Sequence, residues 1–223
     1  MYIQILDVKE QVLEENDRIA AQTRESLRRS GTTLINLMGS PGAGKTSVLL
    51  QLIKRLVDTY RIGVMEADVD SDVDARTVAA AGAKVVQLHT GGLCHMDAAM
   101  TKQGLEALGP EDLNLVFLEN VGNLVCPAEF DVGADLRMMI LSVPEGDDKP
   151  LKYPLMFTVS DVMLVNKIDT APIFDFDLEA AASRARALNP KIEIFAVSAK
   201  TGEGFDDLAD WLRRRLRKGS VVD

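Results

Sequence analysis

The chain has 223 residues, 47% of them hydrophobic and 26% charged, with 25 Lys and Arg against 34 Asp and Glu. That length suits one substantial α/β core, and a net charge of −9 argues against nucleic acid or an anionic membrane as the main partner. Two cysteines cannot build a disulfide framework, and no run reaches the roughly 18 apolar residues of a membrane span, so a cytoplasmic globular protein is expected.

The start, MYIQILDVKEQ, lacks the basic-then-apolar layout of a secretory signal. Asp7 with Glu10 makes a capping box for a helix on which Val12, Ile19, Ala20, Thr23 and Leu27 recur at near-helical spacing, its charges facing solvent. Residues 1–31 therefore read as an N-terminal helical extension packed on a domain that spans 32–223. Within that domain strands are predicted at 34–39, 62–68, 84–90, 114–120, 136–143, 161–167 and 192–199. Helices are predicted at 46–60, 73–81, 96–108, 178–188 and 205–216. Such alternation predicts an α/β fold with a mainly parallel central sheet and helices on both faces. Ligands of these folds gather at the carboxyl ends of the strands.

The first of those ends carries Gly39-Ser40-Pro41-Gly42-Ala43-Gly44-Lys45-Thr46, followed by Ser47. This is a complete G-x-x-x-x-G-K-T phosphate loop between a strand and a helix. Its glycines let backbone N–H groups turn toward phosphate oxygens at a helix N-terminus. Lys45 reaches the outer phosphates, and the Thr46 hydroxyl is a Mg²⁺ ligand. Further carboxylates for Mg²⁺ are Asp68, Asp74 and Glu119, each at or just after a strand end. Asp70 and Asp72 of DVDSDVD are as readily a solvated turn. Glu119-Asn120-Val121-Gly122 sits where G proteins usually carry D-x-x-G, so Gly122 joins the nucleotide set. Lys45, Asp68 and Glu119 form the candidate catalytic set. No residue stands out as a water-positioning glutamine, which predicts slow hydrolysis.

Between these segments, Gly91-Gly92-Leu93-Cys94-His95 follows one strand and Cys126 another. Adjacent helical residues point about 100° apart, so Cys94 and His95 can converge on one ion only from a loop, which the paired glycines permit. With Cys126 they offer thiolate, imidazole and thiolate, a set suited to Zn²⁺ or Ni²⁺ that three ligands leave open. The alternative is that both cysteines are small core residues. Glu119 and Cys126 are close in the chain, so such a site would hang on segments that sense the γ-phosphate. Later, Asn166-Lys167-Ile168-Asp169 matches N-K-x-D, whose aspartate accepts from the N1–H and N2–H₂ edge of guanine. Ser198-Ala199-Lys200 resembles a third guanine-contacting element. Together they point to GTP and GDP rather than ATP. The run Arg213 to Lys218 reads as the dipole-favoured end of a last helix or as a contact for an acidic partner.

The order GSPGAGKT, Asp68 with Asp74-Ala75, TGGLCH, ENVGNLVCPAEFDVG, DKPLKYP, NKID and SAKTGEG resembles the HypB family of hydrogenase nickel-incorporation GTPases over nearly the whole chain. The related urease accessory GTPases place a proline between cysteine and histidine, whereas Cys94 and His95 are adjacent. The resemblance implies a dimerising P-loop GTPase that binds GTP and Mg²⁺ through Lys45, Thr46, Asp68, Asp74 and Glu119. It further implies Ni²⁺ or Zn²⁺ at the dimer interface on Cys94, His95 and Cys126. Its implied partners are a second copy, a HypA-like chaperone and, indirectly, the large subunit of [NiFe] hydrogenase. The chain as given has no Cys-rich or His-rich nickel-storage tract, so storage is not expected. Thr77 holds a slot usually filled by arginine, and Lys149 and Lys152 are candidate phosphate or cross-dimer contacts. Rival readings are a GTPase regulator with structural cysteines and a metal-binding module with a vestigial nucleotide site.

Overall fold

The computed structural model describes residues 8–68 and 73–219, and of Val8, Lys9, Asp68, Val73, Asp74, Ala75 and residues 217–219 it describes the backbone alone. Asp7 of the proposed capping box, Asp70 and Asp72 lie outside the described residues. In chain order the elements are α1 (Val8–Ser30), β1 (Thr33–Gly39), α2 (Lys45–Leu56), β2 (Ile62–Asp68), α3 (Val73–Ala80) and β3 (Lys84–His89). There follow α4 (Ala98–Leu108), β4 (Leu115–Glu119), α5 (Cys126–Glu129), β5 (Leu136–Ser142), α6 (Lys149–Lys152) and α7 (Pro154–Val159). The chain closes with β6 (Val162–Asn166), α8 (Leu178–Leu188), β7 (Glu193–Ala196) and α9 (Phe205–Gly219).

The seven strands pair wholly in parallel, in the order β3-β2-β4-β1-β5-β6-β7. β4 (LVFLE) and β6 (VMLVN) are buried at every position, as near-continuous apolar runs must be when helices cover both faces. On one face Ile35 and Leu37 pack with Leu49, Leu52 and Ile53 of α2 and Leu212 of α9. On the other, Leu34, Met65 and Leu118 meet Leu27 of α1 and Leu105 and Leu108 of α4. Met38, Met139 and Val165 meet Phe157 of α7 and Ala185 of α8. β1 lies between the two wings of the sheet, so the loop leaving it opens at the point where strand order reverses.

Three expectations change. α2 stops at Leu56, earlier than predicted, because the N–H groups of Thr59 and Tyr60 both turn back onto the Leu56 carbonyl. The stripe of α1 runs through Asn16, Ala20, Thr23 and Leu27 rather than Val12, which is 50% exposed. Asn16 is buried because it works as a polar clamp: its Nδ2 donates to Asp131 O at 2.9 Å, and its Oδ1 accepts from Ala98 N at 2.9 Å. The charges of α1 are not all solvated either, since Arg24 donates two bonds of 2.9 and 2.8 Å to the Asp131 carboxylate. The short helices α5, α6 and α7 each carry Pro near their start, and they are too brief for periodicity to reveal. No helix among the described residues is long and apolar enough to cross a membrane.

Candidate functional site

The loop from Gly39 to Lys45 wraps on itself because Gly42 and Gly44 take φ of 74° and 95°, conformations that glycine adopts without strain. Space excludes a side chain at Gly44 as well, since a Cβ there would lie 2.6 Å from Asn166 Nδ2. A cavity of about 510 Å³ opens over this loop, lined by Lys45, Thr46, Ser47, Glu66, Gln87 and Glu119 together with Pro41, Gly42 and Gly44. Lys45 is buried, its Nζ donating to the Ser40 carbonyl at 3.3 Å. Thr46 Oγ1 donates to Glu119 Oε1 at 2.9 Å. A hydroxyl and a carboxylate converging at the mouth of a helix are the hard oxygen donors that Mg²⁺ takes. Asp68 closes β2 directly after Ala67, which lines the cavity, and Asp74 lies in the first turn of α3. Gly122 packs against the loop from β4, where a Cβ would come within 2.8 Å of Pro41 N.

A second cavity of about 270 Å³ adjoins at Gly44 and Ser47, lined by Asn166, Lys167, Asp169, Thr170, Ala199 and Lys200. Two residues of the N-K-x-D segment face back to the phosphate loop rather than toward a base. Asn166 Nδ2 donates to Ala43 O at 2.9 Å, and Lys167 Nζ donates to Gly42 O at 2.7 Å. Asn166 Oδ1 also accepts from Ala199 N at 3.1 Å, and Ser198 Oγ donates to Asp169 Oδ1 at 2.6 Å. The two guanine-type motifs and the phosphate loop are thus one hydrogen-bonded unit, with Asp169 at the cavity edge.

Cys94 and His95 stand on a loop, as their convergence requires. Gly91 and Gly92 take φ of 61° and 93°, and Thr90 Oγ1 donates to Leu93 O at 2.8 Å, turning the chain after β3. Cys126 begins α5 on the segment leaving β4. Cys94 Sγ lies 3.0 Å from Cys126 Sγ and 3.8 Å from His95 Nδ1. The donor atoms of all three lie within 4.8 Å of one another. Burial lowers the proton affinity of His95 against the opposing charges of Asp97 and Glu129, which favours the neutral imidazole that a metal needs. The Cys126 thiol is pushed up, first by its hydrogen bond with Cys94 and then by burial. A divalent cation held here would displace thiol protons on binding.

Four residues outside the expected set support these sites. The Phe130 ring stacks on His95 with centroids 4.1 Å apart. Asn120, fully buried, accepts from Met96 N at 3.1 Å and donates to Asn36 Oδ1 at 3.2 Å, tying the His95 loop to β4. Glu66 and Gln87 line the phosphate cavity from β2 and β3. The available signal for these two was a polar residue inside an apolar strand, VMEAD and VVQLH, since burying such groups is costly without a purpose. Elsewhere, Lys152 pairs with Asp148 and Lys149 lies over the Tyr153 ring, so neither reaches the phosphate cavity within this chain. Arg213 pairs with Asp210 within α9 and donates to the Arg55 carbonyl of α2, so it is engaged inside this chain.

Residues 32–196 match the family model for the CobW/HypB/UreG nucleotide-binding domain. The hydrogenase maturation factor HypB of Rhizobium leguminosarum bv. viciae is 44% identical over 96% of this chain and 73% of its own length. Among solved structures, HypB from Helicobacter pylori in complex with nickel superposes with a TM-score of 0.87 at 33% identity, covering 93% of this chain and 98% of that one. The hydrogenase maturation factor HypB of Archaeoglobus fulgidus superposes with a TM-score of 0.85 at 40% identity, covering 92% and 100%.

Proposed function

Because this chain belongs to the CobW/HypB/UreG family, as a hydrogenase maturation factor of the HypB group, we propose that it couples GTP turnover to the transfer of nickel. GTP binds through Gly39 to Ser47, Asn166, Lys167, Asp169 and Ser198 to Lys200. Mg²⁺ is held by Thr46, Asp68, Asp74 and Glu119, and when bound it neutralises developing phosphate charge. Lys45 places its ammonium on the outer phosphates, and hydrolysis to GDP and phosphate is slow. Nickel, or zinc in its place, is cargo on Cys94, His95 and Cys126, with the fourth position completed by a second copy or a partner. The switch is a nucleotide-dependent homodimer acting in the cytoplasm beside a HypA-like chaperone. Residues 1–31 serve as a helical extension on a GTPase domain of residues 32–223.

One observation carries this reading. The loops bearing Cys94 and Cys126 leave β3 and β4, the strands whose Gln87 and Glu119 line the phosphate cavity. A change at the terminal phosphate therefore moves both halves of the cysteine–histidine cluster through short, direct segments. Thermodynamic linkage makes this measurable, because a nucleotide that alters metal affinity has its own affinity altered by the same factor. The experiment is nickel titration of tag-free protein with GDP and with a non-hydrolysable GTP analogue, recording mass alongside. Different nickel affinities in the two states, with a dimer in one, support the switch. Equal affinities leave a GTPase whose cysteines are structural.

A further inference from the structure

The reading above gives Gln87 no chemical role, yet it occupies a position that chemistry can use. In the sheet register it is the partner of Glu66, and Glu66 is in turn the partner of Glu119. This row crosses from the edge strand to the phosphate loop, and all three side chains line the phosphate cavity. Two strand spacings, roughly 10 Å, separate the Gln87 and Glu119 backbones, and residues in one register row project from the same face of the sheet, here into the same cavity. Both amide atoms, Oε1 and Nε2, are shielded from solvent, and neither has a hydrogen-bond partner among the described residues. A strand side chain of Val or Leu would fill the same space at no such cost, so the amide needs a partner that arrives with the ligand.

We propose that Gln87 is a positioning residue for GTP hydrolysis, its amide holding the attacking water against the terminal phosphate. The choice within the row follows from donor and acceptor inventory. An ionised Glu66 or Glu119 only accepts and repels phosphate oxygens, whereas a neutral amide accepts from water through Oε1 and donates to phosphate through Nε2. In the step it serves, the water oxygen forms a new bond to the terminal phosphorus. The bond to the bridging oxygen breaks, its electrons leave with GDP, and the surplus water proton ends on inorganic phosphate. Gln87 stays unchanged throughout. The segment after β4 carries no glutamine; the amide comes instead from β3, two strands away in the sheet.

The inference rests on the GTPase reading, and the test separates the two. Gln87→Met keeps the length and bulk of the side chain and removes the amide. Expected in Gln87→Met are a kcat for GTP lowered at least about tenfold and a KM and GDP affinity within about twofold of the parent. Its thermal midpoint should be equal or higher, because a buried amide without a partner has gone. Gln87→Ala should show the same kcat with a lower midpoint from the cavity it leaves. A parent-like kcat in Gln87→Met, or a loss confined to nucleotide affinity, overturns the positioning role while the GTPase reading stands. A parent protein without GTP turnover overturns both.

Discussion

The phosphate cradle and the cysteine–histidine cluster hang from the same carboxyl edge of one sheet, but they are held very differently. The cradle is braced from three directions: Asn166 and Lys167 bond the carbonyls of Ala43 and Gly42, Thr46 bonds Glu119, and Gly44 and Gly122 sit where a methyl group would clash. The cluster has an exposed Cys94 on a glycine turn, a single ring stacked on His95, and Asn120 anchoring the loop from below. Preorganisation of the first kind favours a ligand bound the same way in every cycle. A three-donor cluster on two loops suits a ligand that must leave, because its closure waits on something else.

The sharpest way to break this comparison is to damage one site and read the other. Lys45→Ala should lower GTP turnover by about 100-fold or more, through loss of preorganised charge at the phosphates, as phosphate release would show. Nickel affinity without nucleotide should stay within about twofold of the parent, and a large fall would mean that the two sites are a single unit. Cys126→Ala should weaken nickel binding by about 100-fold in a metal titration, since even groups behind the ligands are worth ten- to 100-fold. GDP affinity should not change. Asp169→Asn tests the second cavity in the same spirit. It should weaken GDP binding by at least about tenfold, the worth of a hydrogen bond to a charged acceptor, and shift preference toward xanthine nucleotides, while leaving nickel affinity alone.

The unequal bracing also explains which parts of the molecule a sequence discloses. The cradle lies in contiguous motifs because one backbone stretch supplies most of its donors, so Gly39 to Thr46 and Asn166 to Asp169 announce themselves. Even there the division of labour is hidden, since nothing in the letters says that Asn166 and Lys167 brace the loop. Cys94, His95 and Cys126 stand out as scarce residue types, but their convergence depends on α5, too short for any periodic signal. Gln87 and Glu66 become neighbours of Glu119 only through the β3-β2-β4 order. Local propensity carries no information about which strand lies beside which. The roles of Asn16 and Arg24 are hidden for a related reason: helical spacing marks an inward face, and the Asp131 loop that rewards polar groups there lies 115 and 107 positions away.

That loop offers the mildest test of how the cluster is supported. Asp131 follows Cys126 and Phe130 along the chain; it accepts from Arg24 and the Gly133 N–H and forms an ion pair with Arg137. Burial alone would raise its pKa, but the hydrogen bond from Arg24, with Arg137 and Gly133 behind it, holds the carboxyl below its ordinary value. A depressed folded-state pKa contributes stability that is present above the unfolded value, about 3.9, and is lost as pH falls through the folded one. Asp135, raised by burial, has the opposite sign: its contribution is full below the unfolded value and fades as pH rises through the folded one. Asp131→Asn should therefore cost about 1–2 kcal/mol at neutral pH in urea unfolding, with the gap from the parent closing below about pH 4. GTP turnover should be unaffected, and nickel affinity should fall by no more than about threefold, since Asp131 steadies the segment behind Phe130 without touching a donor atom. A larger loss of nickel binding would mean that the cluster is as firmly built as the cradle, with its bracing supplied by α1.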